Sequence, residues 1–257
     1  MPDPTQFSSR AGAAVVLGGT GGIGAATVRL LRQRGSVVAF TFRSNEQLAR
    51  SIEAEDASAR TRAWRLELDD AEAAARLVDE AAAWAGGIHT VVYASGPHVP
   101  MTHLSRVSPD VLRRQVDEDA GGFFNVVQPA LAHLRRSRGA IVAVTTAATG
   151  RFAVRDGLSV APKAAIEALV RGIAAEEGRF GVRANCVGPG MLSEGMAARL
   201  IANGDLDERA LEVARANTPL RRFGTALDVA EAVCFLASDA AGFVTGQKLS
   251  VDGGYSA

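Results

Sequence analysis

The chain is poor in several features that usually define a protein class. Its two cysteines, Cys186 and Cys234, lie in apolar surroundings and are too few for a disulfide framework or a metal cluster. No apolar run is long enough to cross a bilayer, and the first residues lack the basic and apolar stretches of a signal peptide. Neither sign of charge is in excess, because 28 basic residues balance 28 acidic ones. We therefore expect a cytoplasmic protein with no nucleic-acid partner and no membrane partner.

Lysine and tyrosine are also scarce. Only Lys163 and Lys248 occur among the 28 basic residues, and the only tyrosines are Tyr93 and Tyr255. The excess of arginine most simply reflects coding bias. A lysine that persists against such a bias is a better candidate for a specific role than a lysine in an average sequence.

Short apolar runs alternate with amphipathic stretches along almost the whole chain. This alternation predicts parallel βαβ units and one α/β domain over residues 1–257, a doubly wound parallel sheet with helices on both faces. The predicted strands are Ala13–Leu17, Val37–Phe42, Thr61–Leu68, His89–Ala94, Ala140–Thr145, Arg183–Val187 and Gln247–Val251. The predicted helices are Gly24–Arg34, Ala71–Trp84, a long region from about Pro109 to Arg135, one from Ser159 or Pro162 to about Phe180, and Leu227–Ser238.

A glycine-rich turn follows the first predicted strand. Gly18, Gly22 and Gly24 are spaced so that backbone N–H groups can approach a pyrophosphate at the start of the next helix. Thr20 and Ile23 lie in the same turn. Like the three glycines, they are predicted to contact the cofactor. The alternative is a strand–helix turn with no ligand. The position of the glycine turn directly after the first strand favours nucleotide binding.

Further motifs follow this turn in order. Tyr93–Gly96 stands where one family has Asn-Asn-Ala-Gly after the fourth strand, and Asn185–Gly190 matches that family's Pro-Gly loop beside the nicotinamide. Thr245–Gln247 and Val251–Gly254 match its C-terminal strand. Over nearly its whole length the chain thus resembles the short-chain dehydrogenase/reductase (SDR) family. The resemblance implies a Rossmann-type fold and a nicotinamide cofactor.

The resemblance favours NADP(H) over NAD(H). Members that prefer NAD end the second strand with an acid, whereas this chain has Phe42 followed by Arg43, which can pair with a 2′-phosphate. The alternative is that Arg43 is only a solvated charge. Glu67 and Leu68 are expected against the adenine. The other cofactor contacts that the resemblance implies are Ala94, Gly96, Lys163, Pro189, Gly190 and Leu192.

The catalytic positions of the family are only partly preserved. Members use a tyrosine as proton donor, a lysine four residues later, a serine thirteen residues before the tyrosine and an asparagine on the preceding helix. Those positions hold Ser159, Lys163, Thr146 and Asp119 here, so the chain resembles a divergent member that lacks the active-site tyrosine. Thr146 keeps a hydroxyl donor, and Asp119 is expected to pair with Lys163.

Ser159 is a poor replacement for tyrosine, because its hydroxyl is a far weaker acid and its side chain is shorter. Loss of a positioned acid costs about 10²–10⁴ in rate. The serine could act through a bridging water, or it could be only an N-cap of the helix that contains Pro162. Asp156, His98 or the substrate itself could supply the proton instead.

The resemblance implies an NADP(H)-dependent oxidoreductase that reduces a ketone, 3-oxoacyl or polyketide-like, with an altered proton relay. The alternative is a cofactor-binding pseudoenzyme or a non-redox isomerase or dehydratase on the same fold. The substrate lid, about 192–222, has no readable code. It begins with Ser193 and Glu194, where relatives often place a threonine that touches the carboxamide.

Relatives assemble into dimers or tetramers, so a homodimer or homotetramer is expected beside the small-molecule substrate. The helices before Thr146 and after Lys163 would form the interface. The first of them carries an apolar stripe that burial against its own sheet partly explains. Its members are Val111, Val116, Phe123, Val126, Val127, Leu131 and Leu134.

Overall fold

The computed structural model describes residues 5–97, 99–193 and 208–257. The strands in these residues are β1 (Ala13–Leu17), β2 (Val37–Phe42), β3 (Thr61–Arg65), β4 (Ile88–Tyr93), β5 (Ala140–Val144), β6 (Arg183–Pro189) and β7 (Lys248–Val251). They form one parallel sheet in the order β3-β2-β1-β4-β5-β6-β7. The strands run outward from β1 to β3 on one side and from β4 to β7 on the other, so the strand order reverses between β1 and β4, which is where such sheets open a binding cleft.

Helices cover both faces of the sheet. They are α1 (Gly22–Gln33), α2 (Glu46–Ala54), α3 (Ala71–Ala85), α4 (Pro109–Val116), α5 (Gly122–Ser137), α6 (Gly157–Glu177), α7 (Glu208–Ala216) and α8 (Ala226–Ala237). One core lies between the sheet and α3, α5 and α6, and the other lies between the sheet and α1, α2 and α8. The predicted doubly wound Rossmann-type architecture is confirmed.

The central strands contain almost only buried apolar residues. Every residue of β1, β4 and β5 is buried, which is typical of parallel strands covered on both faces. Helix starts carry the expected caps: Asn45, Asp70 and Ser108 each accept an N–H three residues on, and Thr225 forms a capping box with Asp228. The apolar strands and the capping residues therefore agree with the observed sheet topology.

Several predicted boundaries are wrong. The third strand ends at Arg65 instead of Leu68, because its pairing with β2 stops where Phe42 ends that strand. The sixth strand continues to Pro189, because β7 pairs with it up to Val251. The long helical region is not one helix, since a π-helical turn at Asp117–Gly121 separates α4 from α5.

The apolar stripe of the Pro109–Arg135 region is mostly core. Phe123, Val126, Val127 and Leu134 are fully buried under the chain's own sheet, whereas Phe124 on the opposite face is exposed. The stripe therefore does not identify a partner surface. Among the described residues no helix has the length and apolarity that a membrane span needs.

Candidate active site

A cleft of about 360 Å³ opens at the carboxyl edge of the sheet, at the point between β1 and β4. It runs from the glycine turn past the ends of β2 and β3 to the segment after β4. The predicted cofactor contacts that line it are Gly18, Thr20, Arg43, Glu67, Leu68, Ala94 and Gly96. These residues, expected to contact the adenosine half of a cofactor, therefore lie along one continuous wall.

The glycine turn needs its glycines for close backbone packing. Gly18 has a φ of +76°, and a Cβ there would lie 2.9 Å from the carbonyl oxygen of Ala94. A Cβ on Gly24 would lie 2.1 Å from the carbonyl oxygen of Gly18. The turn is also fastened to β2, because the N–H of Gly18 donates to Thr41 Oγ1 at 3.0 Å. A bulky side chain is thus excluded where a phosphate would approach.

Ile23 and Gly22 continue this turn into the first residues of α1. They do not line the cleft, although the helix start that they form is adjacent to Gly21, which does. Arg43 is exposed at the end of β2 and lies on the cleft wall beside Ser44 and Asn45. An exposed guanidinium at this place is free of the ion pairs that hold many other arginines of the described chain.

Lys163 is held in a buried cluster at the end of the cleft opposite the glycine turn. Its Nζ lies 3.0 Å from Asp119 Oδ1 and 3.0 Å from the carbonyl oxygen of Ser95. A Cβ on Gly96 would lie 3.4 Å from Nζ, so the ammonium borders the cleft wall. The predicted pairing of Asp119 with Lys163 is present in the structure.

Tyr93 completes this cluster, a contact that was not predicted from motifs or spacing. Its hydroxyl donates to the backbone oxygen of Asp119 at 2.9 Å and to Oδ1 at 3.0 Å, while Lys163 Nζ lies 5.2 Å from the ring centroid. Burial first, and then the charge of Asp119, raise the pKa of Tyr93 well above its ordinary value. Tyr93 therefore positions the ion pair and is unsuited to supply a proton.

Ser159 is not the N-cap of its helix, contrary to one of the two expectations for this residue. The helix α6 begins at Gly157, and Asp156 is the capping residue. The Ser159 side chain instead interacts with the carboxyl of Asp156 and lowers its pKa. Pro162 lies inside the helix, where it has no N–H to donate to the Leu158 carbonyl. The helix continues because the following turns pack against the core.

Asp156 is half-buried and has an altered acidity. Burial raises its pKa to about 6, and the hydrogen bond from Ser159 opposes that rise. Its carboxyl accepts no backbone N–H of α6, although it occupies the capping position. His98, the other predicted alternative to the tyrosine, lies outside the described residues, as does Glu194 of the predicted lid.

Thr146 follows β5 and is half-buried. Its Oγ1 accepts the N–H of Ala148 at 3.1 Å, which caps a short turn at Ala147–Thr149. Accepting this bond leaves the hydroxyl hydrogen available for donation to a ligand. Pro189, Gly190 and Leu192 lie at the end of β6 and beyond it, and they do not line the cleft.

A second polar cluster supports the Thr146 segment and was missed by the sequence reasoning. Glu167 Oε1 lies 3.1 Å from Lys248 Nζ and accepts hydrogen bonds from Thr145 and Thr149, each at 2.8 Å. These contacts connect α6, β7 and both sides of Thr146. The signals in the sequence were the second scarce lysine and a glutamate one helical turn after Lys163.

Comparison with known proteins agrees with this geometry. A family model described as enoyl-(acyl carrier protein) reductase matches residues 18–256. The chain belongs to the short-chain dehydrogenase/reductase family. SDR proteins bind nicotinamide cofactors, and the cleft and glycine turn fit such a group: Gly18, Thr20 and Gly21 line the cleft, and the close backbone packing at Gly18 and Gly24 shapes the turn in which a pyrophosphate would be held.

The similar SDR proteins are oxidoreductases. A cis-4-hydroxycyclohexanecarboxylate dehydrogenase of Sinomonas cyclohexanicum is 36% identical over 247 residues, which are 95% of this chain and 96% of that protein. Versicolorin reductase stcU of Emericella nidulans is 32% identical over 249 residues, with 94% of each chain covered. A solved SDR structure from Mycobacterium ulcerans is 30% identical, has a TM-score of 0.88 and covers 97% of this chain and 91% of its own.

Proposed function

We propose that this SDR protein is an NADP(H)-dependent oxidoreductase that reduces a ketone, 3-oxoacyl or polyketide-like, through an altered proton relay. Relatives named as a dehydrogenase of a ring alcohol and as a reductase support oxidoreduction of a secondary alcohol and ketone pair. The observation that carries the proposal is the ammonium of Lys163, which borders the end of a cleft that begins at the glycine turn.

The preference for NADP(H) rests on Arg43. It follows Phe42, so no carboxylate at the end of β2 competes for the adenosine ribose, and the exposed guanidinium is available to a 2′-phosphate. Thr41 holds the glycine turn against the same strand end, which brings phosphate and ribose positions together. This arrangement suits a cofactor with an additional phosphate.

The reduced nicotinamide, when bound, supplies hydride to a carbonyl carbon. Lys163 would hold the nicotinamide ribose, and Asp119 and Tyr93 would fix the position of its ammonium. Thr146 would donate its free hydroxyl hydrogen to the carbonyl oxygen and orient it. Hydride positioning thus survives the absence of the tyrosine, whereas proton delivery requires another group.

The test is a fluorescence titration of the protein with NADPH and NADH, followed by turnover with 4-oxocyclohexanecarboxylate, acetoacetyl-coenzyme A and a fused aromatic ketone. We expect NADPH to bind more tightly and at least one ketone to consume it. Arg43→Ala should weaken NADPH binding by about 10–100-fold, equivalent to a charge-assisted hydrogen bond, and leave NADH binding unchanged.

Arg76→Ala is the matched control, since Arg76 is an exposed arginine that pairs with Glu72 within α3. Equal affinity of the wild type for both cofactors, or an equal loss in the two variants, would contradict the NADP(H) preference. Failure of both cofactors to bind would overturn the proposed function itself.

A second candidate is a cofactor-binding protein that catalyses no hydride transfer, or an isomerase or dehydratase on the same fold. One observation favours it: the side chain of Ser159, at the family position of the proton donor, interacts with the Asp156 carboxyl and lowers the pKa of that acid. NADPH binding without consumption across the ketone panel would support this candidate over the first.

A further inference from the structure

Three polar side chains lie on one face of α6. Asp156, Ser159 and Lys163 follow each other at spacings of three and four residues, which places them in one row along the helix. Lys163 ends this row at the cleft wall formed by Gly96. Ser159 therefore lies one turn before the lysine, and Asp156 lies a further turn back.

The Asp156 carboxyl does not cap the helix that it precedes. An aspartate in a capping position ordinarily accepts a backbone N–H of the first turn. Here the Asp156 carboxyl accepts no backbone N–H, although its carbonyl accepts the N–H groups of Ser159 and Val160 and its own N–H donates to the Ala153 carbonyl. The Ser159 side chain interacts with the carboxyl and lowers its pKa. The first turn of α6 therefore lacks a side-chain cap from Asp156, and the Asp156 carboxyl interacts with the Ser159 side chain.

We propose that Asp156 is the proton source of the altered relay and that Ser159 passes its proton to the substrate. The inference rests on the proposed function and names the group that replaces the tyrosine. As the carbonyl carbon gains hydride, the π electron pair of the C=O bond moves to oxygen. That oxygen takes the Ser159 hydroxyl proton, Ser159 takes the Asp156 carboxyl proton, and Asp156 regains a proton from solvent.

Each member of the relay has the chemistry that its step requires. A serine hydroxyl donates one hydrogen bond and accepts another at the same time, so it can transfer a proton without carrying a charge. Burial keeps the Asp156 carboxyl protonated to a higher pH than an exposed aspartate, with a pKa of about 6. A water between Ser159 and the carbonyl oxygen would lengthen the path and keep the same balance.

Charged groups near this end of α6 bear on the pH dependence. The guanidinium of Arg155 donates to the Met101 carbonyl, and that of Arg151 lies over the ring of Tyr255, so both have partners of their own. The charged groups on the surrounding segments are His103, Arg106, Arg151, Arg155, Asp119 and Lys163. Burial, and not one of these charges, is the main cause of the shift at Asp156.

The first test needs no turnover. Infrared difference titration of the cofactor-free protein between about pH 4 and pH 8 should show a carboxyl that titrates near 6 and is lost in Asp156→Asn. Ser159→Ala should move its midpoint upward, because the serine hydrogen bond lowers the pKa of Asp156. If the band persists in Asp156→Asn or is unmoved in Ser159→Ala, the proposed contact is wrong.

The second test measures reduction of whichever panel ketone the wild type turns over. Asp156→Asn should lower kcat by about 10²-fold or more with little change in the affinity for NADPH, and the decline in kcat above about pH 6 should disappear. Ser159→Ala should lose a similar factor, and the double variant should lose no more than either single one. Asp110→Asn, which removes an exposed carboxylate of α4, is the control.

The outcomes separate the two levels of the proposal. A wild type that binds no NADPH or reduces no ketone contradicts the proposed function. A wild type that reduces a ketone while Asp156→Asn matches Asp110→Asn in rate and pH profile leaves the function intact and overturns the relay.

Discussion

At the scale of single residues, the Lys163 cluster shows how a buried ion pair is made tolerable. Removing two charges from water costs several kcal/mol for each ion, so the pair is stable only if its remaining bonding capacity is used. Tyr93 donates to the Asp119 carboxylate, and the Ser95 carbonyl accepts from the ammonium. The loss of either ion would leave the other one buried without its partner.

Truncation of either partner should therefore be costly. We expect Asp119→Ala and Lys163→Ala each to lower the free energy of unfolding by about 3–5 kcal/mol, and the double variant to lose about 1–3 kcal/mol less than the sum. Chemical denaturation of the four proteins measures this coupling. The exposed pair Arg50 and Glu46 provides the control cycle, with an expected coupling below about 1 kcal/mol. Additive losses at Asp119 and Lys163 would refute the coupling.

The burial of His89 leads to a separate prediction about how stability depends on pH. It is 1% exposed, stacks on Phe7 and contacts the Ser36 hydroxyl, and burial, followed by the charge of Arg10, lowers its pKa to about 3. Between about pH 6.5 and pH 3 the unfolded chain binds a proton at His89 that the folded chain does not. Stability is therefore lost as the pH falls through this window.

The expected contribution of His89 is at most about 1.4 kcal/mol per pH unit. His89→Gln should reduce the slope of unfolding free energy against pH by that amount, whatever its constant effect on stability. Urea denaturation at several pH values from about 4 to 7 measures both slopes. Parallel curves for the two proteins would show that His89 titrates normally in the fold.

At the scale of elements, the glycine turn and α1 form one unit. Gly24→Ala should destabilise the fold by about 1–3 kcal/mol and weaken NADPH binding, because the new Cβ would overlap the Gly18 carbonyl. Gly172→Ala in α6 is the matched control: no atom lies within 4 Å of its added Cβ, and helix propensity predicts a gain of about 0.5–1 kcal/mol. Equal effects of both changes on cofactor titration and thermal melting would contradict this account.

The sequence predicted elements best where an apolar run and its boundary agree. The first two strands, at Ala13–Leu17 and Val37–Phe42, match the structure residue by residue because both are short buried runs. The end of β3 was not predictable, since Leu66 and Leu68 continue the apolar pattern after pairing with β2 has stopped. The helix α2 was missed, although Asn45 before Glu46 is a recognisable N-cap.

One contact between distant segments was predicted from family positions, and two others were not predicted. Lys163 and Asp119 were paired through family positions. The contact of Tyr93 with Asp119 depends on how β4 approaches the π-helical turn, and the contact of Lys248 with Glu167 depends on the pairing of β7 beside β6. Neither of these two contacts can be predicted from the residues adjacent in sequence.

At the scale of the whole molecule, the expected self-association can be examined by asking which described surface is suited to it. Most of the apolar stripe in α5 belongs to the chain's own core, so it cannot also form the expected interface. On the outer side of the helix, Phe124 is 44% exposed. This large exposed aromatic side chain, on the helix where an interface was expected, is the best described candidate on that face.

We expect light scattering to give two or four times the chain mass of 26.7 kDa, and Phe124→Glu to lower that value. A charge at the centre of a helical interface would be buried without a partner, which costs several kcal/mol at each copy of the contact. Phe243→Glu is the control, because Phe243 is fully exposed near the edge strand β7, away from α5. If Phe243→Glu dissociates the assembly and Phe124→Glu does not, the copies meet through the sheet edge and not through α5. An unchanged mass in both variants, with folding verified by circular dichroism, would remove both aromatic side chains from the interface.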